Sequence, residues 1–340
     1  MGTMRAAVYY SNRDVRVEER PVPAIGDGEV LVKIRASGIC GSDVMEWYRV
    51  PKAPVVLGHE LSGEIAAAGK GVDRRVGERV VASHHVPCLE CRYCRAGHET
   101  VCDTLRTTHL DPGGFAEFAR VPAVNVKHGL FSLPETLSFD QATFVEPLGC
   151  VVRGQRFAGV RAGDVVAVLG SGLTGLLHTK LATARGAAVY ATDPVGYRRQ
   201  AAERAGAKAL DAGDGVPERL RTVAGHLADR VIVCTGAPAA IAQAFRCVDR
   251  GGTVLFFAPA DPGREVPMPF NEFWREEITL ASSYGAAPRD MEESLALLTK
   301  GTVEVESLIS HRLPMTRAGE GFRLTAEAGE SLKVVLDPTR

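Results

Sequence analysis

The sequence predicts an α/β protein of two lobes, a β-rich lobe followed by a parallel, doubly wound sheet, and three observations carry that prediction. Up to about residue 148, short apolar runs alternate with turn residues. From Asp164 onward, strand-like runs alternate with longer segments of helical apolar period. At the start of that second region the run Val165 to Leu169 passes directly into a glycine-rich turn, Gly170-Ser171-Gly172-Leu173-Thr174-Gly175, that opens a helix.

Taken in order, the first lobe carries strand patterns at Ala6 to Tyr9, Val15 to Glu18, Val30 to Ile34, Glu64 to Ala68 and Arg79 to Ala82. Beyond Val165 to Leu169 and its helix, the second lobe shows strand-like Ala188 to Ala191, Val231 to Cys234 and Thr253 to Phe257, each separated from the next by helical pattern. Strands interleaved with helices imply a parallel sheet. After about Tyr284 come a helical stretch at Met291 to Leu298 and a terminal strand at Leu332 to Leu336, whose pattern fits the first lobe better than the parallel sheet. The first lobe is therefore expected to be discontinuous, residues 1–148 and 285–340, with 149–284 forming the second.

Composition agrees with two ordinary globular domains. A chain of 340 residues with 45% hydrophobic and 24% charged residues supports well-packed cores. A formal net charge of -1 and the lack of long basic runs give no electrostatic reason for nucleic acid or an anionic membrane as partner. Met1 to Tyr10 has no signal-peptide pattern, and no run approaches the roughly 18–20 apolar residues of a membrane span, so a cytoplasmic location is the default expectation.

Four cysteines, Cys88, Cys91, Cys94 and Cys102, are separated by two, two and seven residues. That spacing suits tetrahedral thiolate coordination of one zinc ion in a lobe of about residues 84–104. An all-cysteine site leaves no open position and is structural. A pair of disulfides is the alternative, disfavoured where thiols stay reduced. Cys150 and Cys247 read as core residues.

In the turn Gly170 to Gly175, the glycines at 170, 172 and 175 serve a tight turn, close approach of backbone to a pyrophosphate and close helix packing, while the helix N-terminus offers N–H groups to an anion. Asp193 ends the next strand, eighteen residues after Gly175, where a carboxylate can accept hydrogen bonds from an adenosine ribose and repel a 2′-phosphate. NAD is therefore favoured over NADP, although Arg198 and Arg199 could turn toward a phosphate, and Asp193 before Pro194 also suits a helix cap. Leu173 and Thr174 at the helix start belong to the same contact set. Ligands of open parallel sheets bind beyond the carboxyl ends of strands, which adds Cys234, Thr235 and Gly236, then Phe257, Ala258 and Pro259, then Ser283 and Tyr284; ordinary strand-end packing is the competing reading.

The other metal candidates lie apart in sequence: Cys40 in Gly38-Ile39-Cys40-Gly41-Ser42-Asp43, His59 and Glu60 after Gly58, and Glu146 before Pro147-Leu148. Singly each fits a structural role. Together they supply a thiolate, an imidazole and carboxylates, the mixture expected of a zinc that keeps one position open.

At these residues the sequence resembles the zinc-dependent medium-chain dehydrogenase/reductase superfamily and, within it, the polyol (sorbitol) and threonine dehydrogenase branch. The resemblance spans essentially the whole chain, through Gly38 to Asp43, Gly58 to Glu60, Cys88 to Cys102, Glu146 to Leu148 and Gly170 to Gly175 in that order. It implies a GroES-like catalytic domain around a Rossmann domain, with the active site in the cleft between them. It further implies Cys40 and His59 as ligands of a catalytic zinc, with Glu60 or Glu146 completing the set. Zinc then acts as a Lewis acid on an alcohol that gives hydride to the nicotinamide, and the hydroxyl of Ser42 begins the path by which the proton leaves. Relatives in the superfamily commonly form dimers or tetramers.

Two departures stand out. Members of the family often carry a histidine three residues after the relay hydroxyl, but this chain has Met45, which cannot carry a proton. A water chain, the cofactor ribose, Asp43 and Glu46 are the replacements considered. Only eighteen residues separate Cys40 from His59, so the loop Trp47 to Pro54 is short and reshapes the substrate pocket, with Trp47 and Tyr48 as an apolar wall or as simple packing. His84 and His85 precede the cysteine cluster, which needs no further ligand; at least one is expected to face the active site or bond backbone, and His109, Asp111 and the Gly113-Gly114 turn to line the same region.

The sequence thus points to oxidation of a secondary alcohol, polyol-like, to a ketone by a protein with two zinc ions and NAD. A threonine, amino-alcohol or cyclitol dehydrogenase is the rival within the class. A non-catalytic dinucleotide-binding zinc protein is the rival outside it.

Overall fold

In the computed structural model, which describes residues 2–340, the chain divides into two units, Met1–Gly149 with Ala286–Arg340, and Cys150–Gly285. The strands of the first unit are β1 (Thr3–Ser11), β2 (Asp14–Pro21), β3 (Val30–Gly38), β4 (Val55–Val56), β5 (Glu60–Ala68), β6 (Arg79–Ser83), β7 (Phe118–Val121) and β8 (Leu130–Ser132). The second unit contributes β9 (Val165–Leu169), β10 (Ala188–Asp193), β11 (Lys208–Asp211), β12 (Ala228–Val233), β13 (Val248–Phe256) and β14 (Thr279–Ser282). The chain then returns to the first unit with β15 (Ile309–Pro314) and β16 (Lys333–Asp337).

In the first unit, β2-β1-β4 form a small sheet, and a larger sheet runs β15-β16-β3-β5-β6-β8 with β7 also on β3. Alternation along β3, with Val30, Val32 and Ile34 buried, places one face on a core shared with Leu61, Ile65, Val80 and Val121. As its pattern predicts, the terminal strand joins this lobe: β16 pairs with β3 through Val335↔Gly38 and Leu336↔Ser37. Since β3 pairs on its other side with β5 through Gly38↔Glu60, β16 and β5 flank the end of β3 that leads into Cys40.

The second unit is one parallel sheet in the order β11-β10-β9-β12-β13-β14. Chain order reverses between β9 and β12, the switch point at which such sheets bind ligands. All five residues of β9 are buried, as befits a strand covered on both faces. The strand patterns at Val231 to Cys234 and Thr253 to Phe257 each overshoot by one residue: β12 stops at Val233 and β13 at Phe256, so Cys234 and Phe257 lie just beyond the sheet. The cysteine readings hold for Cys247, which is buried, whereas Cys150 is only half-buried. Among the described residues no helix is long and apolar enough to cross a membrane.

Candidate active site

Cys40 follows β3 and caps the short 3-10 turn Gly41–Val44, its Sγ accepting the Ser42 N–H at 3.4 Å. His59 and Glu60 open β5. The β3–β5 register brings the two segments together, and one donor atom each from Cys40, His59 and Glu60 lies within 4.8 Å of the others. Asp43 supports the group from below. Fully buried, it accepts the Cys40 N–H with Oδ2 at 3.1 Å and faces Arg49 Nη2 at 3.3 Å and His59 Nδ1 at 3.4 Å with Oδ1. Burial opposes the charge on Asp43, but His59 and Arg49 outweigh it and hold the carboxyl below its ordinary pKa. Burial likewise opposes charge on His59, and here Asp43 and Cys40 prevail, lifting the imidazole well above its usual value. Positive charge is thus stabilised where the three donors converge.

Glu60 is 1% exposed and pairs through Oε2 with the Nζ of Lys333, itself fully buried. Gly38 makes room for this pair, because a Cβ there would fall 2.5 Å from both Glu60 Oε2 and Lys333 Nζ. The other oxygen, Oε1, is buried without a hydrogen-bond partner. Burial raises the Glu60 pKa, Lys333 and His59 oppose the rise, and Glu146 adds to it. Glu146, in the first turn of the helix Val145–Ala158, is therefore close enough to be felt electrostatically, yet the compact donor group comprises Cys40, His59 and Glu60 alone. An orphaned carboxylate oxygen beside a thiol and an imidazole fits a bound divalent cation better than it fits any protein partner present.

Ser42 Oγ accepts from Arg49 Nη2 at 3.2 Å, and Arg49 Nε donates to the Ser42 carbonyl at 2.9 Å. The two carboxylates considered for the relay are both engaged elsewhere. Asp43 is enclosed and fully engaged, and the Glu46 carboxylate turns to the Asn12 N–H at 3.0 Å. Trp47 is 44% exposed, and Tyr48 carries Arg49 and Lys52 on its ring. His85 bonds backbone as anticipated, Nδ1 to the Thr108 carbonyl at 2.9 Å. Asp111 pairs with Arg120 at 3.2 Å.

The four clustered cysteines also converge. Cys91 and Cys94 sulfurs lie 3.5 Å apart, Cys88 and Cys102 3.6 Å, Cys88 and Cys94 4.0 Å. Four sulfurs about 2.3 Å from one tetrahedral ion stand roughly 3.8 Å from each other, whereas a disulfide needs about 2.05 Å; the disulfide alternative fails. Backbone N–H groups of Glu90 and Cys91 donate to Cys88 Sγ and lower its thiol pKa.

In the second unit the turn Gly170 to Gly175 sits between β9 and the helix Leu173–Ala184. Gly175 has no room for a side chain, since a Cβ would strike the Gly170 carbonyl oxygen. Asp193, 4% exposed, accepts the Ser171 N–H with Oδ2 and the Val195 N–H with Oδ1, both at 2.9 Å. It therefore anchors the glycine turn as well as ending β10. Arg198 lies beside Gly172, its Nη1 3.8 Å from where a Cβ would stand, and its Nε has no partner. Arg199 cannot turn toward a phosphate as freely, because it donates to the Asp193 carbonyl at 2.7 Å and to that of Pro194. At the switch point, Gly170 abuts the half-buried Cys234, whose thiol pKa is pushed up to about 12 by loss of solvation. The half-buried Phe257 packs edge-on against His178 at 4.5 Å, just beyond the strand end. Ser283 and Tyr284 follow β14, Tyr284 being 57% exposed.

Comparison with known proteins assigns both units. Residues 26–135 match the alcohol dehydrogenase GroES-like domain and 174–300 the zinc-binding dehydrogenase domain. L-threonine 3-dehydrogenase of Bacillus licheniformis is 35% identical, with 94% of each chain covered, and L-galactonate-5-dehydrogenase of Escherichia coli K12 is 31% identical over 95% of each. Sorbitol dehydrogenase of Gallus gallus is 30% identical, covering 99% of this chain and 98% of its own. The chain belongs to the zinc-dependent medium-chain dehydrogenases, in their polyol and threonine dehydrogenase branch. Among solved structures, a zinc-binding dehydrogenase from Sinorhizobium meliloti 1021 bound to NADP superposes with TM-score 0.87 at 29% identity, covering 99% of this chain and all of its own. An alcohol dehydrogenase from Escherichia coli CFT073 complexed with NADH gives 0.88 at 26%, with the same coverage.

For this dehydrogenase, sequence reasoning missed Lys333 and Arg49. A lysine leading into the apolar run Val334 to Leu336 was a signal available for the first, because a charge inside a core strand requires a buried counter-charge. Arg49 carried no comparable mark.

Proposed function

We propose that this dehydrogenase oxidises a secondary alcohol of a polyol-like small molecule to the ketone, reversibly, with NAD as hydride acceptor. Cys40, His59 and Glu60 hold the catalytic zinc, with Glu146 as a second carboxylate near it, and Cys88, Cys91, Cys94 and Cys102 hold a structural zinc. The observation that carries the reading is the convergence of Cys40, His59 and Glu60 within 4.8 Å around a buried, unpartnered Glu60 Oε1. The metal supplies Lewis acidity toward the substrate oxygen when bound. Asp43 fixes the His59 ring from behind, Lys333 steadies Glu60, and Ser42 Oγ, oriented by Arg49, receives the alcohol proton. The glycine turn and the following helix N-terminus cradle the pyrophosphate, with Arg198 alongside, while Asp193 turns its remaining lone pairs to the ribose and so favours NAD over NADP.

Three further assignments complete the proposal. The protein works as a homo-oligomer: β14 is an unpaired edge of the parallel sheet, and Phe270, Trp274 and Leu280 near it are 66%, 77% and 41% exposed, which suits isologous pairing of two copies. It acts in the cytoplasm. The threonine dehydrogenase relative makes an amino alcohol the second substrate class to examine.

The test is NADH appearance with zinc-loaded protein, NAD and a panel of polyols, cyclitols, simple secondary alcohols and threonine, before and after metal removal. Metal-dependent reduction with one class, abolished in Cys40→Ser although that variant still binds NAD, is the expected outcome. Full turnover by Cys40→Ser would remove Cys40 from the site.

A further inference from the structure

Three histidines stand beside the catalytic group without belonging to it. His84 and His85 follow β6, and His109 follows the short helix Asp103–Thr107. One ring nitrogen from each lies within 4.8 Å of the other two. We infer that His84, His85 and His109 form a third metal site, separate from both zinc sites, that takes an imidazole-preferring divalent transition ion such as zinc, nickel or copper.

The spacing supports this. His84 Nε2 and His109 Nδ1 are 3.3 Å apart, close to the roughly 3.4 Å that separates two nitrogens bound about 2.1 Å from one tetrahedral ion. His85 has Nδ1 committed to the Thr108 carbonyl, which leaves Nε2 as the ligating atom and fixes the ring as metal-binding histidines are commonly fixed. The three rings crowd one another, with centroids at 4.3, 5.2 and 5.4 Å. Their backbone is pinned as well: Asn125 Nδ2 donates to the carbonyls of Ser83 and His84, and Ser83 Oγ to that of His85.

Protons do not compete strongly for these lone pairs. Burial pushes His85 down to about 4. Two contacts are given up on binding, the hydrogen bond between His84 Nε2 and His109 Nδ1 at 3.3 Å and a longer one at His84 Nδ1. The Leu110 N–H points at His84 Nδ1 from 3.4 Å, and ligation through Nε2 moves the ring proton to Nδ1 and breaks that long bond, which makes the site weaker than the thiolate cluster. His109 is exposed, so the fourth position opens to water, as in sites with three protein ligands. The catalytic group shares no ligand with it, although the His59 and His84 rings are only 6.2 Å apart.

Equilibrium dialysis of the zinc-loaded protein against free zinc, followed by metal analysis, tests the assignment. The wild type should take up one more zinc per chain than His109→Ala, whose exposed position leaves the fold intact, and than His85→Ala. The same increment should persist in a Cys40→Ser background. Equal zinc content in wild type and His109→Ala would overturn the site, and an increment that vanishes with Cys40→Ser would assign the histidines to the catalytic metal instead. Copper added to zinc-loaded protein gives a second readout: its electron paramagnetic resonance should carry nitrogen couplings in the wild type that His109→Ala reduces, and identical spectra would likewise overturn the proposal.

Discussion

Replacing Lys333 by methionine keeps most of the side-chain length and deletes only the ammonium, leaving Glu60 as a carboxylate in a site where neither residue is more than 1% exposed. Removing one partner of a buried ion pair costs about 3–5 kcal/mol, because the survivor is neither solvated nor paired. At roughly 2–4 °C per kcal/mol for a domain of this size, the first unit should melt about 6–20 °C lower in zinc-free protein. The cost depends on pH in a defined direction. Burial already raises the Glu60 carboxyl, and a carboxyl whose folded pKa exceeds its unfolded value costs stability in full above the folded pKa; that cost shrinks as pH falls below the folded pKa and is gone below the unfolded one. Lys333→Met should therefore lose most at pH 8 and less at pH 5.5. Zinc should reduce the loss, since an ion against Glu60 Oε1 supplies the missing counter-charge. Thermal unfolding by circular dichroism, with and without zinc, measures all three effects. Adding Glu60→Leu to Lys333→Met should recover much of the stability, because both charges then leave the core. The reasoning is refuted if the single variant melts within about 2 °C of wild type without metal, a shift of under about 1 kcal/mol, or if the double variant is no more stable than the single.

Asp193→Ala should weaken NAD by roughly tenfold or more, about 1.4 kcal/mol, and NADP by less; equal losses in a fluorescence titration would reduce Asp193 to an anchor for the glycine turn. Cys94→Ser should lower Tm by removing several kcal/mol of metal-linked folding energy and release one zinc per chain, whereas an unchanged Tm and zinc content would dismiss the four-thiolate site. His178, buried in the second unit, has its pKa pushed down to about 3 by burial and Arg185. The unfolded chain takes up a proton near pH 6.5 that the folded unit refuses, so stability is lost as pH drops below that value, by about 1.4 kcal/mol per unit and near 3 kcal/mol by pH 4.5. His178→Leu should flatten this acid limb in urea unfolding, and a limb of unchanged slope would assign the acid sensitivity elsewhere.

How much of this was legible depended on the range of the interaction. The run Val165 to Leu169, its glycine turn and the four cysteines are local patterns in which spacing alone determines geometry, and each took the shape its spacing predicts. The return of Lys333 to Asp337 to the first lobe was readable from an apolar period unlike that of the parallel sheet. What that return accomplishes was not readable, because Lys333 and Glu60 lie 273 positions apart and meet only because β16 and β5 flank β3. The three histidines show the same limit. His84 and His85 beside a cysteine cluster suggest a surplus of ligands, and His109 was expected in the same region, but that it closes a three-nitrogen group with them shows only when Leu110 folds back against His84.

The proton path narrows by elimination. Met45 removes the imidazole that would follow Ser42, Asp43 is enclosed by Cys40, His59 and Arg49, and Glu46 faces the Asn12 amide. For the proton that we propose Ser42 receives, these contacts disfavour both carboxylates and favour a water chain. Arg49 bears on that choice, since its Nη2 donates to Ser42 Oγ and a guanidinium never accepts a proton at ordinary pH. The hydroxyl can therefore take the substrate proton only on a lone pair that Arg49 leaves free, while passing its own hydrogen to a third group. Arg49 thus orients the hydroxyl without serving as its base, next to a Met45 that stands where family members often carry a histidine.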